Sequence, residues 1–196
     1  MVADRFEILF VCHANLCRSP LAERLTRQAL DNAFGPAAAE VVASSAGTHA
    51  FPGSAMHQGS AQALDERGID PGGFASRSLT PAVLAGADLV LASAREQRAA
   101  CVTLAPSAIR RTFTLRQFVR FAKAVPTGPG LVQGPPAQRL RKLVESAVAV
   151  RHLVPAVSAD EDDIADPVGR PIEAFRVCAD EIEQDMNAVV RIIAAT

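Results

Sequence analysis

Only a short loop separates the apolar run Phe6 to Val11 from the helical pattern carried by Leu21, Leu25, Ala29 and Leu30, and that loop has Cys12 at one end and Arg18 at the other. The run before the loop is of strand type and the spacing behind it is of helix type, so the loop sits on a helix N-terminus. A helix start leaves backbone N–H groups unpaired and presents the positive end of the dipole, which favours an anion there before any side chain is considered. The whole stretch Ile8 to Glu23, Ile-Leu-Phe-Val-Cys-His-Ala-Asn-Leu-Cys-Arg-Ser-Pro-Leu-Ala-Glu, reads as a phosphate trap.

The residue types fit the chemistry of phosphoryl transfer. A cysteine with an unperturbed pKa of about 8.5 is mostly protonated at neutral pH, and a helix N-terminus with a neighbouring Arg pushes it toward thiolate. Cys12 is therefore the expected nucleophile. The planar fork of Arg18 can hold two phosphoryl oxygens at once and follow the charge toward a planar transition state. Ser19 can donate its hydroxyl to the Cys12 sulfur, stabilising it as nucleophile and leaving group, and it is also placed to cap the following helix.

A departing oxygen needs a proton. The acidic run Asp160, Glu161, Asp162, Asp163 reads as a solvated loop, but Asp166 is followed by Pro167, which biases it toward an extended conformation on a stiff turn able to present its carboxylate to a pocket. Asp166 is the expected general acid.

The pattern Val11-Cys12-x-x-Asn15-x-Cys17-Arg18-Ser19-Pro20-x-Ala22-Glu23 resembles the signature of the low-molecular-weight protein tyrosine phosphatases, and Asp166-Pro167 falls where that family keeps its general acid. The likeness continues through Ser45-Ala46-Gly47-Thr48, Gly68-Ile69-Asp70, Ser76-Arg77-Ser78-Leu79-Thr80 and Asp88-Leu89-Val90-Leu91. The resemblance implies dephosphorylation of phosphotyrosine in proteins in two steps. Cys12 forms a phosphocysteine while Asp166 protonates the leaving group, and Asp166 then activates the hydrolytic water. It implies no metal or organic cofactor, a phosphoprotein substrate, and inorganic phosphate or another oxyanion as product or inhibitor. The phosphate-binding loop is expected to comprise His13, Ala14, Asn15, Leu16, Cys17, Arg18 and Ser19. By the same match, Asn15 holds the loop's shape with Ser45 as hydrogen-bonding neighbour, and Cys17 is the partner of Cys12 in a reversible protective disulfide.

The departures from the pattern matter as much. The family usually has Gly where this chain has Ala14, so a positive φ there would cost roughly 1 kcal/mol or more of strain. Where many members place aromatic residues after Asp-Pro, this chain has Val168 and Gly169, which leaves Phe51 as the candidate aromatic wall. Leu16 is bulky and aliphatic where the related bacterial protein-arginine phosphatases carry a small polar Thr, and so favours the tyrosine-directed branch. His13 is a candidate for the pocket rim.

Three other readings share the loop. One is a protein-arginine phosphatase of the same fold; another is a phosphate-binding regulatory protein with little or no turnover, to which Ala14 and the lost aromatics point. The third, arsenate reduction, needs two further cysteines on a mobile segment, but Cys101 and Cys178 stand far apart. Cys178 falls on one apolar stripe of a terminal helix with Ile172, Phe175, Ile182, Met186, Val189, Val190 and Ile193, and is expected in the core.

At 196 residues, 49% of them hydrophobic, the chain is long enough for one domain with a sizeable core. Its net charge of −1 makes no case for nucleic acid or an anionic membrane. The N-terminal Met-Val-Ala-Asp-Arg-Phe-Glu has no signal-peptide pattern, no apolar run approaches the roughly 20 residues of a membrane span, and a cytoplasmic location is expected. Strand candidates Phe6 to Val11, Val41 to Ser45, Asp88 to Ala92 and Arg110 to Leu115 alternate with helical candidates Leu21 to Phe34, Met56 to Arg67 and Ala94 to Leu104. That alternation predicts an α/β fold, a doubly wound parallel sheet with helices on both faces. The family resemblance adds a four-stranded, flavodoxin-like sheet of order 2-1-3-4, with Cys12 at the switch point. A Pro- and Gly-rich linker, Val125 to Pro136, and a helix, Ala137 to Leu153, are expected as an insertion at about 125–155 within a single domain spanning 1–196.

Overall fold

The computed structural model describes residues 5–126 and 133–195. Strand β1 (Phe6–Cys12) is apolar at nearly every position, as a strand covered on both faces must be. Its side chains alternate between two cores. Phe6, Ile8 and Phe10 join the larger one and Leu9 and Val11 the smaller. Strand β3 (Leu89–Ala92) repeats the division, with Leu89 and Leu91 on one side and Val90 on the other. With β2 (Val41–Gly47) and β4 (Thr112–Thr114) they form a four-stranded sheet of order β2-β1-β3-β4 in which every pairing is parallel. This is the doubly wound order expected.

The register places Cys12 opposite Gly47 and Val11 opposite Ala92, so the chain leaves β1 at the carboxyl edge of the sheet between two neighbours. Helix α1 (Arg18–Phe34) follows β1; α2 (Gln58–Asp65) and α3 (Pro81–Gly86) lie between β2 and β3 in the chain; α4 (Arg95–Leu104) follows β3. Helix α5 (Leu115–Ala124) starts directly from β4, capped by the Thr114 hydroxyl, which accepts from the Gln117 N–H at 3.0 Å. Then come α6 (Pro136–Val150), the single turn α7 (Ala159–Asp162) and α8 (Ile172–Ala194). Among the described residues, no helix is long and apolar enough to cross a membrane.

The terminal stripe packs as its spacing predicts: Phe175, Cys178, Ile182, Met186, Val189, Val190 and Ile193 are buried and Ile172 is half-buried. Cys101 is buried in the smaller core. On α6, Leu140, Leu143 and Ala147 are buried, and Val144 and Val148 pack against them. Residues 127–132 of the expected linker lie outside the described residues.

Other expectations are corrected. The strand expected from Arg110 to Leu115 is shorter, because Pro106–Arg111 forms a 3-10 turn and Leu115 already belongs to α5. Helix α1 begins at Arg18 with Cys17 as its N-cap, so Ser19 lies inside the first turn and is not the cap. The acidic run is not simply solvated: it forms α7 behind a Ser158/Glu161 capping box, and Asp162 is buried.

Candidate active site

Two backbone features shape the loop from His13 to Cys17. Asn15 has φ +55°, the left-handed conformation, and is the one non-glycine residue with positive φ among those described. Asn is among the side chains that adopt this conformation most readily. Ala14 is not in that conformation, so the strain expected from its methyl does not arise. Gly47 lies against the loop so closely that a Cβ would stand 2.7 Å from both the Asn15 nitrogen and the His13 carbonyl oxygen. Backbone bonds then tie the loop to the end of β2, from the Thr48 N–H to Cys12 (3.0 Å) and from the His49 N–H to His13 (2.8 Å).

The Asn15 side chain is fully buried and satisfies three neighbours. Its amide donates to the hydroxyls of Ser19 (3.0 Å) and Ser45 (2.9 Å), and its carbonyl oxygen accepts from the Arg77 N–H (2.8 Å). Both serines must therefore point their protons onward. Ser45 donates to Glu23 Oε2 at 2.7 Å, and Ser19 donates to Cys12 Sγ at 3.0 Å. The hydroxyl so held stabilises negative charge on the sulfur. Arg77 closes the frame, its Nε donating to the Ser45 carbonyl at 2.6 Å. Glu23 and Arg77 lie within matched motifs, but which serine or asparagine each would serve depends on contacts far apart in sequence.

At the far end of the loop, Arg18 is buried at 6% exposure on the first turn of α1. Its Nη1 donates to the Ile164 carbonyl at 3.1 Å and its Nη2 pairs with the carboxylate of Asp166. Its Nε is buried with no hydrogen-bond partner. Asp166 itself is half exposed on irregular chain, and its second oxygen accepts from the Val168 N–H at 3.2 Å, closing a local turn.

Cys12, Arg18 and Asp166 converge on a cavity of about 200 Å³ that is also lined by His13, Ala14, Leu16, Cys17, His57 and Val168. Leu16 is half-buried, with one side against the core. His13 stacks on His49 with ring centroids 4.5 Å apart. Phe51 lies outside: it is 85% exposed and does not line the cavity, so it supplies no aromatic wall there. His57 was not legible from the sequence. It caps α2 by accepting from the Gly59 N–H at 3.1 Å and stacks on Phe175 at 4.7 Å, and neither partner is signalled by any spacing around it.

All four cysteines are free and buried. Burial pushes the Cys17 thiol up to about 12, against a smaller lowering by the Ser60 hydroxyl, and charge on Cys12 and Asp166 adds to the rise. Burial likewise pushes Cys101 and Cys178 up to about 12.

The sequence pattern of low molecular weight phosphotyrosine protein phosphatases matches residues 7–126, a span that contains Cys12 and Arg18 and stops short of Asp166. A protein-arginine-phosphatase of Geobacillus stearothermophilus is 32% identical over 178 residues, covering 91% of this chain and 89% of its own. The low molecular weight protein-tyrosine-phosphatase Etp of Escherichia coli K12 is 35% identical over 115 residues, 57% of this chain and 70% of its own. The crystal structure of a low molecular weight protein tyrosine phosphatase from T. tengcongensis superposes with a TM-score of 0.68 at 27% identity, over 95% of this chain and 98% of the other. By its matched residues and its sheet, the chain belongs to the low molecular weight phosphotyrosine protein phosphatase family.

Proposed function

We propose that the chain is a cysteine-dependent phosphomonoester hydrolase that dephosphorylates phosphotyrosine in proteins through a phosphocysteine intermediate. The observation that carries this reading is the buried Arg18 guanidinium, which lines the cavity of Cys12 and keeps its Nε buried without a hydrogen-bond partner, a donor left for a bound oxyanion.

Cys12 attacks phosphorus while Arg18 and the loop N–H groups hold the equatorial oxygens. Asp166 transfers its proton to the departing oxygen, then takes one from the water that opens the phosphocysteine. Ser19 steadies the sulfur when it leaves. Phosphate is released, and it or another oxyanion competes for the same loop. No step calls for a metal or organic cofactor. The four unpaired cysteines suit a reducing, cytoplasmic setting. One catalytic domain accommodates the whole chain, with α6 as an extension of the core.

The likeness to a protein-arginine-phosphatase over 91% of the chain favours a second reading, action on phosphoarginine. Leu16 in the cavity wall argues for the aryl ester, since an aliphatic side chain packs on a ring and offers nothing to a guanidinium. Purified protein is expected to cleave phosphotyrosine peptides faster than phosphoarginine peptides, and Leu16→Thr to shift the ratio of kcat/KM toward phosphoarginine by about tenfold. A wild type that prefers phosphoarginine would replace the first reading with the second.

A further inference from the structure

Asp166 stands on chain that has almost no regular structure of its own, so its position against the loop must be set from outside. We propose that Arg116 and Arg120 of α5 are positioning residues that hold the segment 158–166, and through it Asp166, in register with Cys12. This rests on the reading of Asp166 as the general acid.

Arg120 Nη1 lies 2.7 Å from Oδ1 of Asp162, a carboxylate whose residue is only 5% exposed. Arg116 reaches further along the same segment, its Nη1 donating to the backbone carbonyls of Asp163 (3.1 Å) and Asp160 (3.4 Å). Its remaining nitrogens face Glu181 at 2.8 Å and Asp185 at 4.0 Å on α8. One guanidinium thus joins α5, the acidic segment and α8. Arg120 offsets the charge of the buried Asp162, while Arg116 ties down the backbone on either side of it.

The segment then docks on the sheet edge. Asp163 Oδ1 accepts from the Arg95 N–H at 2.8 Å, capping α4 where Ala94 has no side chain to do so, and the Ile164 N–H donates to the Ser93 carbonyl at 2.8 Å. The buried Ile164 passes its own carbonyl to Arg18. Only Ala165 separates that anchor from Asp166. Arg116 sits on the first turn of a helix capped by Thr114, so the clamp has a rigid base.

A buried carboxylate deprived of its partner moves toward water, and a displacement of about 1 Å at a reacting group can cost up to about 100-fold. Neither arginine touches the cavity, so each can reach bound phosphate only through the segment, whose Ile164 carbonyl anchors Arg18.

The test is steady-state hydrolysis of phenyl phosphate and para-nitrophenyl phosphate by wild type, Arg116→Gln, Arg120→Met, Asp166→Asn and Arg116→Gln/Asp166→Asn, with inhibition by inorganic phosphate measured alongside. Each arginine variant is expected to lose about tenfold in kcat/KM on phenyl phosphate, whose leaving group needs the proton, and less than about twofold on the nitrophenyl ester, with phosphate inhibition weakened by no more than about twofold. The double variant should be less than about twofold slower than Asp166→Asn alone, because the clamp affects turnover mainly through that carboxylate. Equal losses on both esters, additive loss in the double variant, or no loss would overturn the positioning role. If Arg120→Met fails to fold, Arg116→Gln and the milder Arg116→Lys carry the same comparison. A wild type with no turnover on either ester would instead overturn the hydrolase reading, an outcome distinct from active variants that do not discriminate.

Discussion

Gly47 meets Asn15 backbone to backbone: a methyl group on Gly47 would lie 2.7 Å from the Asn15 nitrogen. The last residue of β2 therefore fixes how near the phosphate loop can approach the sheet. Gly47→Ala should push the loop outward, lowering kcat/KM by about 100-fold while costing about 1–3 kcal/mol of stability. Kinetics and denaturant unfolding of the same preparation would check this. Full activity in the alanine variant would show that the loop tolerates the displacement.

Asn15 combines a left-handed backbone with three side-chain hydrogen bonds, and two substitutions separate these contributions. Asn15→Gly keeps the backbone and loses the bonds; Asn15→Ala loses both. The alanine variant should be less stable than the glycine variant by about 1 kcal/mol, and both should lose activity because Ser19 and Ser45 are no longer oriented. Equal stabilities would remove the backbone term.

Alkaline titration reads the buried thiols. Cys17, Cys101 and Cys178 are pushed up from 9.0 to about 12, so the folded state holds protons that the unfolded chain has released. Their contribution to stability is fully present below pH 9, the unfolded value, and is lost as pH climbs through about 12. The chain has no Tyr, which leaves few other groups to titrate in that window. Urea unfolding should weaken above about pH 9 by up to about 1.4 kcal/mol per pH unit for each thiol, and Cys101→Ala should lower that slope by about a third. A slope unaffected by Cys101→Ala would contradict the burial of that thiol.

The loop, the strand before it and the helix behind it were legible because they are contiguous, and their periodicities change at Cys12 and Arg18. Asp166 was legible through its Pro167. By contrast Gly47, His57 and Arg77 serve residues far from them in sequence, and no local pattern announces such contacts. Helix α5 escaped notice although Leu115, Phe118, Val119 and Ala122 have helical spacing, since the preceding strand candidate absorbed its first residue. The acidic run read as solvated because the charge that buries Asp162 comes from Arg120, on another element.

The most direct test compares phosphate release from para-nitrophenyl phosphate by wild type and Cys12→Ser, with phosphate binding measured for both by calorimetry. A cysteine phosphatase loses on the order of 10³-fold or more in rate on this substitution, while the Arg18 loop still binds phosphate. Unchanged turnover in Cys12→Ser would contradict a phosphocysteine mechanism.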